Sequence, residues 1–175
     1  VMVIVPASIH SKEHSEALAA KCLKHGVPLI SVDIPLPGAF CVSFDYMGAF
    51  GSIIEHVISW HSCKRVKLVA GTAGNPFSDV RIDTCRRIMQ EHGLELGENN
   101  ILYGDFWEGP TMEAMDKFFE SGEPLPEVFI CCNDTMAMTV CLKLNEHGIN
   151  VPGDVLVTGF DGIQIEKFHK PRLTT

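Results

Sequence analysis

The sequence has no run of basic residues and no long hydrophobic segment. Its densest basic pairs are Lys64-Arg65 and Arg86-Arg87, and the 175 residues carry a formal net charge of −8. A surface that grips a nucleic-acid backbone needs clustered positive charge, so the composition argues against this chain holding DNA or RNA by itself. No apolar stretch approaches the ~20 residues that cross a bilayer as a helix.

Cysteine pairs at the spacing of redox or zinc motifs are also absent. The seven cysteines are an odd number, and none of them forms a C-x-x-C motif. Cys131 and Cys132 are neighbours in a predicted strand, so their side chains are expected on opposite faces. We interpret the cysteines as reduced packing residues, which favours the cytosol and argues against a disulfide framework. The eight histidines are scattered, and neither a metal site nor a cofactor is predicted.

Familiar catalytic motifs are missing as well. The loop Gly71-Thr-Ala-Gly-Asn lacks the Lys-Ser/Thr ending of a P-loop, which excludes a nucleotide-hydrolysing site of that kind. The chain has no Gly-x-Ser-x-Gly nucleophile elbow. No aspartate is paired with a histidine or a lysine at a defined spacing. The sequence therefore predicts a binding protein rather than an enzyme, with an enzyme on a doubly wound sheet kept as an alternative.

What the chain does contain is a strict alternation of strand and helix patterns. Its composition, 46% hydrophobic and 21% charged, is typical of a core-forming domain. Predicted strands cover residues 1–5, 28–32, 40–44, 66–70, 101–103, 129–132 and 155–158. Predicted helices cover about residues 12–25, 78–92 and 111–120, with others after Asp45 and after Asp134. Strand–helix–strand units with short turns favour an α/β fold of doubly wound parallel sheets.

Polar residues stand at the carboxyl ends of two predicted strands. Asn133 and Asp134 follow one strand, and Asp161 follows the next. Because ligands of open α/β sheets bind outside these strand ends, we expect the three residues to face one crevice. Asn or Asp at a helix start is also an ordinary N-cap, so one of the pair is expected to cap while the other faces the ligand. For Asp161 we favour a carboxylate that accepts two sugar hydroxyls over a solvated turn residue.

The same segments carry a resemblance to a known family. Cys132-Asn-Asp-Thr-Met-Ala-Met, Val151-Pro-Gly-Asp-Val, Gly159-Phe-Asp and Pro171-Arg-Leu-Thr-Thr175 occur in this order. Together they resemble the effector-binding domain of the lactose/purine-repressor family of transcriptional regulators. The resemblance extends over essentially the whole chain and implies the type I fold of the periplasmic sugar-binding proteins.

The resemblance also implies how the chain is organised. It places residues 1–44 in a remnant of an N-terminal lobe, residues 45–160 in a nearly complete C-terminal lobe, and residues 161–175 in a hinge return segment. The chain is then expected to be a fragment of a longer regulator. A small one-domain α/β protein of flavodoxin type is the alternative, because the crossover after residue 44 does not by itself separate the two.

Two candidate ligand residues lie after the predicted strand at 66–70. In the family, the helix that follows carries an Arg that reaches the effector, and this Arg precedes a Gly and an aromatic residue. Arg81 matches the Arg, but Ile-Asp-Thr-Cys follows it here. A guanidinium offers a rigid fork of donors for hydroxyls or carboxylates, whereas the plainer interpretation is a surface Arg. Asn75, six residues earlier, matches a second and weaker ligand position.

Three further candidates come from the resemblance. Phe106 follows Gly104-Asp105 as in the purine-repressor branch, where the aromatic residue stacks on the effector ring. Trp107 is a second candidate for that role, and the alternative is that one of the two aromatic rings fills the core. Asp45 lies where the family has an Asp-Asn pair, and its expected use is helix capping at the hinge.

For function, the resemblance implies a cytoplasmic sensor of a sugar or nucleobase-like effector. The ligand would bind between two lobes, and closure would alter DNA binding by a helix-turn-helix outside this chain, in a protein expected to be a homodimer. The same sensor fused to another output, such as a diguanylate cyclase, is an alternative. A periplasmic sugar-binding protein is a further alternative, which the cysteine count disfavours.

Overall fold

The computed structural model describes residues 1–5, 12–163 and 172–175. Within these ranges the chain divides into two compact units, Val1–Tyr46 and Met47–Thr175. No helix in the described ranges is long and apolar enough to span a membrane. All seven cysteines are free thiols; Cys41 is exposed and the other six are buried.

The first unit is a small parallel sheet packed on one helix. Strands β1 (Met2–Ile4), β2 (Leu29–Val32) and β3 (Phe40–Val42) lie in the order β1-β2-β3, and helix α1 is Lys12–Lys24. Gly26 follows the helix with a φ of 65°, which suits a glycine at a helix end. The core of this unit consists of Ile4, Ala19, Cys22, Leu29 and Leu36.

The second unit is built on a four-stranded parallel sheet. Its strands are β4 (Val66–Ala70), β5 (Ile101–Tyr103), β6 (Val128–Cys131) and β7 (Leu156–Thr158), in the order β5-β4-β6-β7. Every residue of the central strands β4 and β6 is buried, as expected for a sheet covered on both faces. From β4 the chain crosses to β5 on one side of it, and from β6 it crosses to β7 on the opposite side of the sheet. The direction of the crossovers therefore reverses between β4 and β6. The switch point between β4 and β6 is where such sheets bind ligands.

Helices cover this sheet and begin where the sequence provides caps. They are α2 (Tyr46–Glu55), continued by a π-helical turn at His56–Trp60, then α3 (Pro76–Glu91), α4 (Glu108–Glu120) and α5 (Asp134–Glu146). Helix α2 turns its apolar stripe inward and buries Phe50 and Ile54. The side chain of Asn75 caps α3 with Pro76 in its first turn, and that of Asn133 caps α5. These caps place both helix starts at the carboxyl edge of the sheet.

The end of the chain joins the edge of the second sheet. Thr174 forms an isolated parallel bridge with Thr158, and the carbonyl of Thr174 accepts a hydrogen bond from the amide of Gly159 at 2.9 Å. Residues 172–175 therefore pack with the second unit, next to β7.

The expected α/β fold with parallel sheets is confirmed. The flavodoxin-type alternative is wrong, because the strands in the part of the chain that the structure describes form two separate sheets rather than one. Strands β4 and β5 have the predicted bounds. Helix α4 begins at Glu108, three residues before the predicted start, because Pro110 is accommodated in its first turn.

Candidate functional site

Loops and helix starts at the carboxyl edge of the second sheet carry most of the polar side chains singled out in the sequence. Arg81 lies in α3 after β4, and Phe106 lies in the loop after β5. Asn133 and Asp134 directly follow β6, and Asp161 follows β7. The fold therefore brings residues from four different connections to one edge of one sheet, where ligands of such sheets bind.

Arg81 lies against two aromatic rings. Its Cζ is 5.2 Å from the ring centroid of Phe160 and 5.9 Å from that of Phe106, both within cation–π range. One terminal nitrogen donates a hydrogen bond to the carbonyl of Phe77 at 2.9 Å, one turn earlier in α3. The buried Nε has no hydrogen-bond partner among the described residues. The guanidinium is thus held in place and keeps donor capacity for a ligand.

Phe106 sits in a backbone conformation that few side chains adopt. Its φ is 65° and that of Asp105 is 51°, so two consecutive non-glycine residues are left-handed. The ring packs directly over Gly71, and a Cβ on that glycine would overlap it. Such a conformation persists only where the surroundings fix it. Gly71 and the loop after β5 together hold the Phe106 ring beside Arg81.

Asn133 links two of the loops. Its Oδ1 accepts a hydrogen bond from the amide of Met136 at 2.8 Å, which caps α5. Its Nδ2 donates to the carbonyl of Phe106 at 3.0 Å. Both ends of the side-chain amide are therefore used within the protein, in capping and in fixing the Phe106 loop.

Asp134 is fully buried. Its Oδ2 accepts a hydrogen bond from the amide of Ile163 at 2.8 Å, while Oδ1 has no hydrogen-bond partner among the described residues. The side chain is therefore directed at the turn after β7, which contains Asp161.

Asp161 has a strained backbone and a perturbed carboxyl group. Its φ is 111°, far from the usual region for a non-glycine residue. Partial burial raises its pKa, the positive charge of Arg81 lowers it, and the negative charge of Asp134 raises it again. Asp161 is exposed as a residue, yet its carboxyl group lies within the electrostatic reach of both Arg81 and Asp134.

The remaining sequence candidates lie differently. The side chain of Asn75 accepts a hydrogen bond from the amide of Phe77 at 2.9 Å and so caps α3. Trp107 is 70% exposed and stands in extended conformation just before α4. Asp45 belongs to the first unit, where it is exposed and directly precedes α2. The structure brings Arg81 and Phe106 together, and it places Asp45 outside the second unit.

The sequence reasoning missed Phe160 as a part of this site. The ring is buried, lies edge-on to Phe50 at a centroid distance of 5.4 Å, and has the Arg81 guanidinium over it. A signal was available, since Phe160 stands between the glycine and the aspartate of Gly159-Phe-Asp. An apolar residue after a buried strand is most simply interpreted as core, which is also true of it.

The chemistry offered at this edge is that of binding. A guanidinium provides donors, a carboxyl group provides acceptors, and an aromatic ring provides an apolar face, which suits a small polar ring. Within the described ranges no three His, Cys, Asp or Glu side chains are grouped so that they could hold a metal ion. The nearby thiol of Cys132 is no nucleophile at neutral pH, because burial raises its pKa to about 12.

Comparison with known proteins gives a consistent result. The family model for the periplasmic binding protein-like domain matches residues 54–175. The HTH-type transcriptional repressor PurR of Pasteurella multocida is 30% identical over 115 residues, which is 66% of this chain and 34% of the repressor. Catabolite control protein A of Priestia megaterium is 29% identical over 136 residues, which is 77% of this chain and 40% of that protein.

Solved structures resemble the chain in fold. A sugar-binding transcriptional regulator of the LacI family from Escherichia coli, complexed with phosphate, aligns with a TM-score of 0.81 at 24% identity, covering 98% of this chain and 60% of that one. The Escherichia coli transcriptional repressor AscG aligns with a TM-score of 0.79 at 23% identity, covering 98% and 61%. The chain spans about a third of the length of the PurR relative and about three-fifths of these structures.

Proposed function

Because the chain belongs to the periplasmic binding protein-like domains of the lactose/purine-repressor family, we propose that it senses a small neutral effector, a sugar or a nucleobase-like ring. The effector contacts the carboxyl edge of the four-stranded sheet. The relatives that the chain matches are transcriptional regulators, which supports sensing rather than turnover.

The observation that carries the proposal is the placement of Arg81 within cation–π range of two aromatic rings and within the electrostatic reach of Asp161. The guanidinium lies 5.9 Å from the Phe106 ring centroid and lowers the pKa of Asp161. A ligand hydroxyl or ring nitrogen that accepts from Arg81 and a second group that donates to Asp161 would satisfy both residues.

The charges at this edge favour a neutral ligand over an anion. Burial and the charge of Asp134 already raise the pKa of Asp161, so an added negative group would meet two carboxyl groups and one guanidinium. The half-buried ring of Phe106 offers an apolar surface for a flat or chair-shaped ring next to the polar contacts. Sugars and nucleobases both meet this description.

The response to the effector, a change in DNA binding, is expected in a part of the protein outside this chain. The net charge of −8 speaks against a DNA contact by these residues. We therefore assign DNA binding to an attached helix-turn-helix in a homodimeric regulator, with effector binding changing the affinity for DNA. Another attached signalling domain would use the same sensor.

The test is calorimetry on the full-length protein with a panel of neutral ligands. The panel contains glucose, cellobiose, adenine and uridine, with inorganic phosphate as an anionic comparison. For a ligand that binds, Arg81→Lys should weaken affinity by about tenfold to a hundredfold, because the fork of donors is lost. Arg87→Lys is the matched control, since Arg87 lies on the same helix but pairs with Glu91 at 2.8 Å on the surface.

Two outcomes would contradict the proposal. Equal affinities for the Arg81→Lys and Arg87→Lys variants, both folded, would place the effector elsewhere. Steady conversion of a panel compound to product, lost in Asp161→Ala, would make the protein an enzyme instead.

A further inference from the structure

The turn that carries Asp161 is held at both ends by one buried carboxyl group. This turn runs from Gly159 to Ile163. The Oδ2 of Asp134 accepts a hydrogen bond from the amide of Ile163 at 2.8 Å, across 29 residues of sequence. The other oxygen, Oδ1, packs against Gly159 so closely that a Cβ there would overlap it. One side chain therefore touches the first and the last residue of the turn.

The backbone inside the turn needs such support. Asp161 has a φ of 111° and Gly162 a φ of 65°. A non-glycine residue keeps such an angle only where its surroundings fix it. On the far side, the amides of Gly159 and Gly162 donate to the Thr174 carbonyl at 2.9 Å and the Thr175 Oγ1 at 3.2 Å. Asp134, the first residue of α5, contacts the turn through the amide of Ile163.

Helix capping does not account for this buried carboxyl group. The side chain of Asn133 already caps α5 through the amide of Met136. Asp134 is 0% exposed, and its Oδ1 has no hydrogen-bond partner among the described residues. A buried carboxyl group with one oxygen unpaired among the described residues is unfavourable for stability, so stability alone does not explain the residue.

We propose that Asp134 is a positioning residue, whose two contacts hold the 159–163 turn so that the Asp161 carboxyl group is presented to the effector. Asp134 itself does not touch the effector in this arrangement. The inference rests on the function proposed above, and it assigns to Asp134 a role different from that of Asp161.

A second effect of Asp134 follows from its charge. The pKa of Asp161 is raised by burial, lowered by Arg81 from α3 and raised by Asp134 from α5. The thiol of Cys132, which directly follows β6, also lies within the field of Asp161. Asp134→Asn keeps an oxygen acceptor for the Ile163 amide but removes the charge, so it should lower the pKa of Asp161 while the turn stays in place.

The first experiment needs no effector. In the full-length protein, Asp134→Ala should speed hydrogen exchange in the 159–163 peptide, measured by mass spectrometry, and Asp134→Asn should not. Carboxyl ¹³C NMR should show a lower pKa for Asp161 in Asp134→Asn. The matched control is Asp154→Ala, because Asp154 accepts the Asn150 amide at 2.8 Å in another turn. The control should change neither quantity.

Unchanged exchange of the 159–163 peptide in a folded Asp134→Ala protein would overturn the proposal. If the alanine variant does not fold, Asp134→Ser, which also removes the carboxyl group, takes its place in the exchange measurement.

A binding cycle then separates positioning from general support. With cellobiose and adenine as probes, Asp134→Ala should lower affinity about tenfold in the wild-type background and have little effect beside Asp161→Ala. An equal loss in both backgrounds would refute action through Asp161. If neither probe binds the wild-type protein, the effector class proposed above fails for these compounds, while hydrogen exchange still decides whether Asp134 holds the turn.

Discussion

The guanidinium of Arg81 lies over the ring of Phe160, with 5.2 Å between Cζ and the ring centroid. Phe160 packs edge-on against Phe50 in the core, so the hydrophobic core supports the Arg81 guanidinium at the carboxyl edge. A binding residue fixed in this way loses little side-chain freedom when a ligand arrives, which favours affinity.

Phe106→Ala should weaken effector binding by about tenfold to a hundredfold, because an apolar ring face next to Arg81 is lost. Trp107→Ala should have a smaller effect, since Trp107 is 70% exposed and makes little contact with the rest of the edge. Calorimetry on both variants of the full-length protein compares two adjacent aromatic residues directly. A larger loss for Trp107→Ala would mean that the ligand stacks on the indole instead.

Gly71→Ala should displace the Phe106 ring while Phe106 itself is unchanged. A Cβ at this position overlaps the Phe106 ring, which must leave its place beside Arg81. We expect a loss of effector affinity of similar size to that of Phe106→Ala, and a destabilisation of about 1–3 kcal/mol from overpacking. Urea unfolding and calorimetry measure the two effects.

The control for this substitution is Gly109→Ala in α4. Nothing lies within contact of a Cβ there. Alanine should therefore stabilise the helix by up to about 1 kcal/mol and leave binding unchanged. Equal behaviour of the two glycine variants would show that the ring does not depend on Gly71.

Much of the fold could be predicted because strand and helix patterns are local. The β-branched and apolar residues of Val66–Ala70, interrupted only by Lys67, and the short run Ile101–Tyr103 give strand bounds directly. The π-helical turn at His56–Trp60 could not be foreseen, because Val57 and Ile58 continue the apolar stripe of an ordinary helix. The α4 start was placed late because Gly109 and Pro110 resemble a loop, although proline is tolerated in a first helical turn.

The candidate site was predictable in position but not in roles. Strand ends identify Asn133 and Asp134 as neighbours of a crevice, yet the sequence treats the two alike. Only the tertiary contacts separate them: Asn133 binds the Met136 amide beside it, and Asp134 binds the Ile163 amide 29 residues away. The contribution of each candidate to ligand binding stays a prediction.

Glu123→Ala should destabilise the second unit more than the removal of a surface ion pair would. Its carboxylate pairs with Lys67 at 2.6 Å, and the side chain of Lys67 is only 7% exposed. Removing Glu123 leaves the ammonium with the Asn99 carbonyl, also at 2.6 Å, and we expect a loss of about 1–3 kcal/mol in unfolding free energy. Glu91→Ala is the control, because Glu91 and Arg87 are both exposed and such pairs contribute under about 1 kcal/mol. Similar losses would contradict this.

Asp161→Asn should stabilise the protein at neutral pH, and the gain should vanish in acid. Burial raises the pKa of Asp161 in the folded state, so ionisation is unfavourable to folding. Below the usual pKa of an aspartate, the group is protonated in folded and unfolded chains alike, and no penalty exists. As pH rises through the usual value and then the raised one, the penalty develops in full, and asparagine removes it.

Asp154→Asn is a control of opposite sign for this pH dependence. Hydrogen bonds from the backbone and side chain of Asn150 lower the pKa of Asp154. Its ionised form therefore favours the folded state above the usual pKa, and this contribution is lost as pH falls through the lowered value. Urea unfolding from neutral to acid pH should show Asp161→Asn more stable and Asp154→Asn less stable than wild type at neutral pH. Both differences should close in acid. A gain for Asp161→Asn that stays constant with pH would mean that relief of backbone strain, and not the raised pKa, is its cause.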